Sequence, residues 1–407
     1  MVKVDNLIDL KNKNLKSIID YQRFRSNTTK KQIAQDLNLS FATVSNMANL
    51  LMNIDLIRET ENSSTKYVGR SPKYIHMNTE RFYIITLDLH MSQYMSLCKI
   101  DLASRILCRK TYEVQLFGSI DHFMKQAKEV FDDFLDASQS DADKVIGVGV
   151  IMPGIFFEQN DCMVSIENSI FRNQPIRKLI SDAVGKPVIV ENDTNLAAYF
   201  SAISTQTDNL VYLYMGEGLG FGVVTNGNIL RGVCGYSSEI DHIPMGTLNQ
   251  RCPYCGNYDC LHTDVSRNGF LNKYNGGEYE FKRSYTAEWE NYIGHIRRGD
   301  VRAMEVAREN ALILGKGLSA AVCITWPARV VIGAIPPELY RIMAPAVERQ
   351  INSRKPFEPY ITVVYDDQCL DTIAKGAAEM FYSQWMPEYE WFEAQVKKQP
   401  CGADRDD

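Results

Sequence analysis

No part of the 407-residue chain approaches the roughly 20 consecutive apolar residues that a membrane-crossing helix needs, so a spanning protein is not expected. The first residues, MVKVDNLIDLKNKN, contain no apolar core of a signal peptide, so a cytoplasmic location is expected. A large charge imbalance is also missing: 44 Lys+Arg stand against 50 Asp+Glu, and 45% of residues are hydrophobic, as in a soluble globular protein. Without an export signal, the ten cysteines are read as reduced thiols plus one metal site rather than as a disulfide framework.

What the chain does have is one dense stretch, Gly235 to His262, GYSSEIDHIPMGTLNQRCPYCGNYDCLH. Cys252, Cys255 and Cys260 offer three thiolates, and His242, ten residues before Cys252, offers a ring nitrogen. Three soft ligands and one imidazole suit tetrahedral Zn²⁺, and a closed four-ligand shell is the structural type. Gly256, following Cys255, lets the backbone curl beneath a thiolate. The competing reading is a group of ordinary thiols, which four such residues so close together make the poorer account.

Charge is unevenly placed. Residues 1–80 carry 12 Lys+Arg and 8 Asp+Glu, which leaves 32 and 42 for the rest. A basic head on an acidic body points to nucleic acid at one end. Residues 6–24 show helical spacing of Leu7, Leu10, Leu15, Ile18, Ile19 and Phe24. Thr28 and Thr29 are candidate caps for a short helix KKQIAQDL, Asn38 and Leu39 make a turn, and Ser40 caps a third helix, FATVSNMANLLMNI. This is helix-turn-helix spacing, with Ala34 at the close approach. Val44, Met47, Leu50 and Leu51 face inward, leaving Ala42, Thr43, Ser45, Asn46 and Asn49 to reach base edges. Two strands, IRET and KYIHMN, then flank a polar turn, and Lys66, Arg70 and Lys73 near it suit phosphates or a minor groove. The rival for this head is a small helical oligomerisation domain, which the added wing disfavours.

From residue 81 the order becomes strand, turn, helix. RFYIITLDLHMSQYMSLCKIDLASRIL reads as two strands with a turn near Met91–Gln93, residues 119–137 as an amphipathic helix, and KVIGVGVIMPGI as a buried strand entering a Pro-Gly turn. KPVIVENDTN brings Glu191, Asn192 and Asp193 to a strand end before a helix, and a glycine-rich hairpin with Gly216, Gly218 and Gly220 follows. RVVIGAI is another buried strand, and DTIAKGAAEMFYSQW a last helix. Such alternation implies an α/β body with ligands at strand carboxyl ends.

The motifs LDLHMS, GVGVIMPG, ENDTN, GEGLGFGVVTNG, GYSSEIDH, CPYCGNYDCLH, VVIGA and KGAA, in this order, resemble the ROK family of repressors, open reading frames and sugar kinases, in its repressor branch. The resemblance implies a winged helix-turn-helix over residues 1–80 and a two-lobed, actin-like (ribonuclease H-like) sugar kinase body. Its lobes are expected at 81–200 and 201–390, with 391–407 as a flexible tail. It implies a structural zinc held by His242, Cys252, Cys255 and Cys260. This chain has one residue more than the family's usual C-x-C between its first two cysteines, which makes Cys252 the least secure ligand. A sugar site is implied at Gly154, Asn168, Asn192, Asp193, Glu239 and His242, with His262 where the family keeps a glutamate. Asp193 falls where the kinases keep their base; its alternative is a helix N-cap.

Three departures bear on activity. The phosphate loop D-x-G-x-T stands here as Asp88-Leu89-His90-Met91-Ser92, and a side chain at His90 obstructs the backbone approach that glycine permits. Glu217 puts an acid in the second phosphate loop. His262 replaces an obligate acceptor with a group that donates or accepts. The expectation is a non-enzymatic, zinc-containing regulator. It should bind a palindromic DNA operator at Ser40, Thr43, Ser45, Asn46, Asn49, Lys66, Arg70 and Lys73, as a dimer or tetramer that a sugar or sugar derivative modulates. The alternatives are an active ATP-dependent sugar kinase with a DNA-binding appendage, and a regulator whose sugar site has decayed.

Overall fold

A computed structural model of the chain describes residues 7–25, 27–61, 73–90, 93–114, 119–165, 169–216, 218–277, 286–353, 360–385 and 388–398. The head opens with α1 (Leu7–Arg23), α2 (Lys30–Asp36) and α3 (Phe41–Asn53). Thr29 caps α2 by accepting from Gln32 N at 3.2 Å, whereas Thr28 is buried and takes a hydrogen bond from Gln22. Asn38 turns the chain at φ 52°, and Ser40 caps α3 through Thr43 N at 3.0 Å. Val44, Met47, Leu50 and Leu51 are buried, as the spacing required. β1 (Ile57–Glu61) and β2 (Lys73–Met77) pair antiparallel, Ile57 opposite Met77, as the two strands of a wing.

The first lobe holds β3 (Tyr83–Asp88), β4 (Tyr94–Asp101), β5 (Ile106–Glu113), α4 (Ile120–Ala137), β6 (Val145–Met152), the small hairpin β7 (Ile155–Phe157) and β8 (Cys162–Ser165), α5 (Ile176–Val184) and β9 (Val188–Asn192). Its main sheet runs β5-β4-β3-β6-β9, with β3, β6 and β9 parallel and β4 and β5 antiparallel. All eight residues of β6 are buried, the mark of a central strand covered on both faces. β5, β7, β8 and α5 were not anticipated. β5 has no apolar alternation to reveal it, because half-buried and exposed residues alternate along it.

After α6 (Asp193–Ser204) the second lobe supplies β10 (Leu210–Met215), β11 (Leu219–Thr225), β12 (Asn228–Ile229), α7 (Leu261–Val265), α8 (Arg267–Tyr274), α9 (Thr286–Arg297), α10 (Val301–Thr325), β13 (Arg329–Gly333), α11 (Pro337–Asn352) and β14 (Thr362–Asp366). The sheet order β12-β11-β10-β13-β14 repeats the first sheet's pattern: two antiparallel strands on one side of the first strand, two parallel ones on the other.

The lobes exchange helices. α6 leaves the first lobe and packs on β10 and β11, while α12 (Cys369–Gln384) returns from the second lobe onto β3 and β6. The boundary drawn at 201–390 for the second lobe is therefore corrected for α12, whose Gly- and Ala-rich face fits the first sheet. α6 and α12 cross so closely that a Cβ on Gly376 would lie 2.2 Å from Leu196 O. The expected tail at 391–407 is also corrected in part. α13 (Tyr389–Lys398) is helical, and Phe392 is wholly buried among Phe82, Trp385 and Trp391. Residues 399–407 lie outside the described residues.

The head is bonded to the body. Arg23 Nη2 lies 2.6 Å from Glu379 Oε1 on α12, Arg23 Nε donates to Leu102 O at 2.6 Å, and the guanidinium covers the Tyr382 ring at 4.0 Å. Ser104 donates to the same carboxylate, and Asn12 accepts from Tyr389 N at 2.7 Å.

Candidate functional site

The candidate metal centre is built by a tight turn. Cys252 O accepts from Gly256 N at 3.0 Å, Cys252 N donates to Asn257 O at 2.7 Å, and Gly256 takes φ 76°, which a residue bearing a Cβ adopts at a cost. This turn absorbs the extra residue between the first two cysteines. One ligand atom from each of His242, Cys252, Cys255 and Cys260 then lies within 4.8 Å of all the others, with Nδ1 of His242 3.7 Å from Cys252 Sγ and Cys255 Sγ 3.4 Å from Cys260 Sγ. All four expected ligands, Cys252 included, are thus brought together, and the set can hold a metal. Burial first, then the neighbouring thiol of Cys255, pushes the Cys260 thiol up to about 12. A bound cation reverses that preference by stabilising the thiolates. Asp264 braces the loop: it accepts from Thr247 N at 2.8 Å and Thr247 Oγ1 at 2.7 Å, and pairs with buried Lys273 at 2.7 Å.

The candidate sugar residues fall into two groups joined by residues 231–242. In the first, Asn192 N-caps α6 through Thr194 N (2.9 Å) and Asn195 N (3.1 Å), and its Nδ2 donates to Gly154 O at 3.0 Å. Asp193 is therefore not the cap itself. It is the first helical residue, buried, accepting from Thr194 N at 2.6 Å. Burial raises its pKa, opposed by the nearby His90. Glu191 accepts from Asn195 at 3.0 Å and is paired with Arg231. From Arg231 the chain passes beside β7, where Gly235 lies against Phe156 O, and reaches the second group at the turn Ile240–His242. There Nε2 of His242 lies 4.0 Å from Glu239 Oε2 and 3.7 Å from Asp241 Oδ2, on the ring edge opposite the thiols. Burial and then the Asp241 carboxylate raise the Glu239 pKa. His262 is 2% exposed, with Nδ1 3.5 Å from Asp241 Oδ2 and Tyr254 packed edge-on at 4.9 Å. Asn168 lies outside the described residues. Asp241, inside GYSSEIDH, and Arg231, just after the glycine-rich hairpin, were not anticipated here, because nothing in one sequence separates them from solvated charges.

At the phosphate loop, His90 is held by Asp88: Nδ1 lies 2.6 Å from Asp88 Oδ1, which also accepts His90 N at 3.0 Å. The ring stands edge-on to Tyr214 at 6.5 Å. Glu217 and Ser92 are outside the described residues.

On the head, Ala42, Asn46 and Asn49 are exposed, Thr43 and Ser45 half-buried. The Ser40 and Thr43 hydroxyls bond each other at 2.8 Å. Lys73 lies 3.4 Å from Glu59, which also takes Lys30 at 2.7 Å. Lys30, which opens α2, reaches Asn49 Oδ1 at 3.5 Å. Lys66 and Arg70 are outside the described residues. Among the described residues no helix is long and apolar enough to cross a membrane.

A two-lobed body with repeated sheets, a turn whose four residues can hold a metal and a winged head define the class, and comparison with known proteins agrees. The chain belongs to the ROK family, whose model matches residues 95–388. It is 22% identical over 330 residues to the xylose repressor of Bacillus spizizenii, covering 79% of this chain and 82% of that protein. In structure it is similar to a ROK family transcriptional regulator described as a homologue of E. coli MLC, with TM-score 0.78 and 20% identity, over 95% of this chain and 99% of the other. It is also similar to a ROK glucokinase from Streptomyces griseus, with TM-score 0.60 and 20% identity, over 73% of this chain and 98% of the enzyme. The regulator's likeness extends nearly the length of this chain, and the kinase's covers a smaller share.

Proposed function

We propose that this protein is a sugar-responsive transcriptional regulator, acting as a repressor, whose body binds a sugar or sugar derivative and whose head binds a palindromic operator as a homo-oligomer. The placement of α12 carries the reading. At Glu379 it is bonded to the head through Arg23, and at Gly376 it crosses α6, whose first residue is Asp193 in the sugar cleft. A ligand that changes how the lobes close thereby changes the seat of the head, which is the differential contact that allostery requires. Structural Zn²⁺ on His242, Cys252, Cys255 and Cys260 fixes the loop that presents Glu239 and the free edge of His242 to the sugar. The name of the Bacillus relative makes D-xylose the first sugar to try.

The second reading, an ATP-dependent kinase, has Asp193 in its favour. Against it, the His90 ring occupies the phosphate loop, and the open cavity of about 480 Å³ at the ends of β13 and β14 is rimmed by Asp366, Asp367 and Asp371, a poor host for a polyphosphate. A thermal-shift screen of monosaccharides, sugar phosphates and ATP decides between them. A sugar raises the melting temperature without ATP, and ATP with Mg²⁺ raises it neither alone nor with sugar. Sugar-dependent ADP release, abolished by Asp193→Asn, contradicts the regulator-only reading.

A further inference from the structure

Asp241 stands between the two histidines of the second group. Its side chain is only one-tenth exposed, and its Oδ2 lies between two histidines, 3.7 Å from Nε2 of His242 and 3.5 Å from Nδ1 of His262. Nδ1 of His262 is a buried nitrogen with no hydrogen-bond partner. Such an atom is normally satisfied, so its orphaning marks a group that awaits closure of its surroundings or an occupant. The acceptor it faces is Asp241 Oδ2, at 3.5 Å. On the other side, Glu239 stands 4.0 Å from the same edge of His242.

We propose that Asp241 is the sugar-reading carboxylate of this chain and that His262, behind it, is a positioning residue. The acidic acceptor that the family places after the last cysteine is here supplied by residue 241. This rests on the sugar-binding reading above and deepens it. Asp241 Oδ2, beside His242 Nε2, is held by His262 Nδ1–H, and the carboxylate accepts a hydrogen bond from a sugar hydroxyl. His262 thus compensates for its own substitution and does not mark a decayed site. Two adjacent carboxylates, Asp241 and Glu239, accept from neutral hydroxyls and repel a phosphate or uronate. Arg231, in the first group, is engaged by Glu191. The ligand class is therefore a neutral sugar with free hydroxyls at this edge, and a sugar phosphate is refused.

The test uses the full-length, zinc-replete protein and calorimetric titration with D-xylose, D-glucose, N-acetyl-D-glucosamine and D-glucose 6-phosphate. One neutral sugar binds, and the phosphate binds at least tenfold more weakly than that sugar. Asp241→Asn weakens the neutral sugar tenfold or more, His262→Gln weakens it less, and the double variant Asp241→Asn/His262→Glu, which returns the carboxylate to position 262, recovers most of the loss. Zinc is measured in each variant, so that loss of the metal centre is told apart from loss of the contact. Where Asp241→Asn loses zinc, Asp241→Glu decides: moving the charge by one methylene must change the order of preference among the neutral sugars. Unchanged affinity in Asp241→Asn with its zinc retained, an unchanged order in Asp241→Glu, or tighter binding of the phosphate overturns the assignment alone. Absence of binding by all four probes to the unaltered protein overturns the sugar reading and this assignment with it.

Discussion

At the scale of single residues the metal centre is the most exposed to test. Four ligand atoms within 4.8 Å, from a His-Cys₃ set, imply about one Zn²⁺ per chain in protein purified without added metal. Cys260→Ser should release it and lower the melting temperature, because structural zinc contributes directly to folding; elemental analysis and a melting curve check both. Asp193 offers an opposite sign. Burial raises its pKa, so any free energy tied to its protonation is present below the unfolded value and lost as pH rises through the folded one. At neutral pH the charged form is a cost. Asp193→Asn keeps an oxygen for Thr194 N, so it should raise the melting temperature at pH 8, with a smaller gain at pH 5. The cysteines were legible in the sequence because their spacing already suggests a ligand set, and His90 because the resemblance puts a glycine at its place. Asp241 was not. Its meaning depends on His262, 21 positions later, being folded against it.

Among the elements, the three head helices were readable to within a residue or two, since caps and apolar spacing are local properties. α13 was hidden because its stability comes from Phe392 entering an aromatic pocket made by distant residues, Phe82 among them. The reading helix gives a separable prediction. Thr43 is engaged by Ser40, whereas Asn46, one turn beyond Thr43, is exposed, so Asn46 is the better base reader. Asn46→Ala should cost about 1–3 kcal/mol on the selected operator and little on random DNA. Equal losses on both, by fluorescence anisotropy, would remove α3 from that role.

For the whole molecule, the repeated sheets and the crossing of α6 and α12 make lobe closure the natural motion, and the buried Arg23–Glu379 pair ties that motion to the head. The α/β alternation was legible, but the exchange of helices between lobes was not, because a helix's apolar face does not state which sheet it will cover. Breaking a buried pair by removing one partner costs about 3–5 kcal/mol, while replacing both by apolar residues is often nearly neutral. Glu379→Ala should therefore destabilise strongly and Arg23→Met/Glu379→Met far less, as chemical denaturation would show. The central claim is that a sugar in the body changes the head's hold on DNA. Its most direct measurement is the affinity of the full-length protein for DNA selected in vitro, at fixed salt, with and without the neutral sugar that raises its melting temperature. A drop of roughly 5- to 150-fold is expected, the range of ordinary allosteric coupling, absent in Glu239→Ala. An affinity unchanged by a sugar that demonstrably binds the body would contradict it.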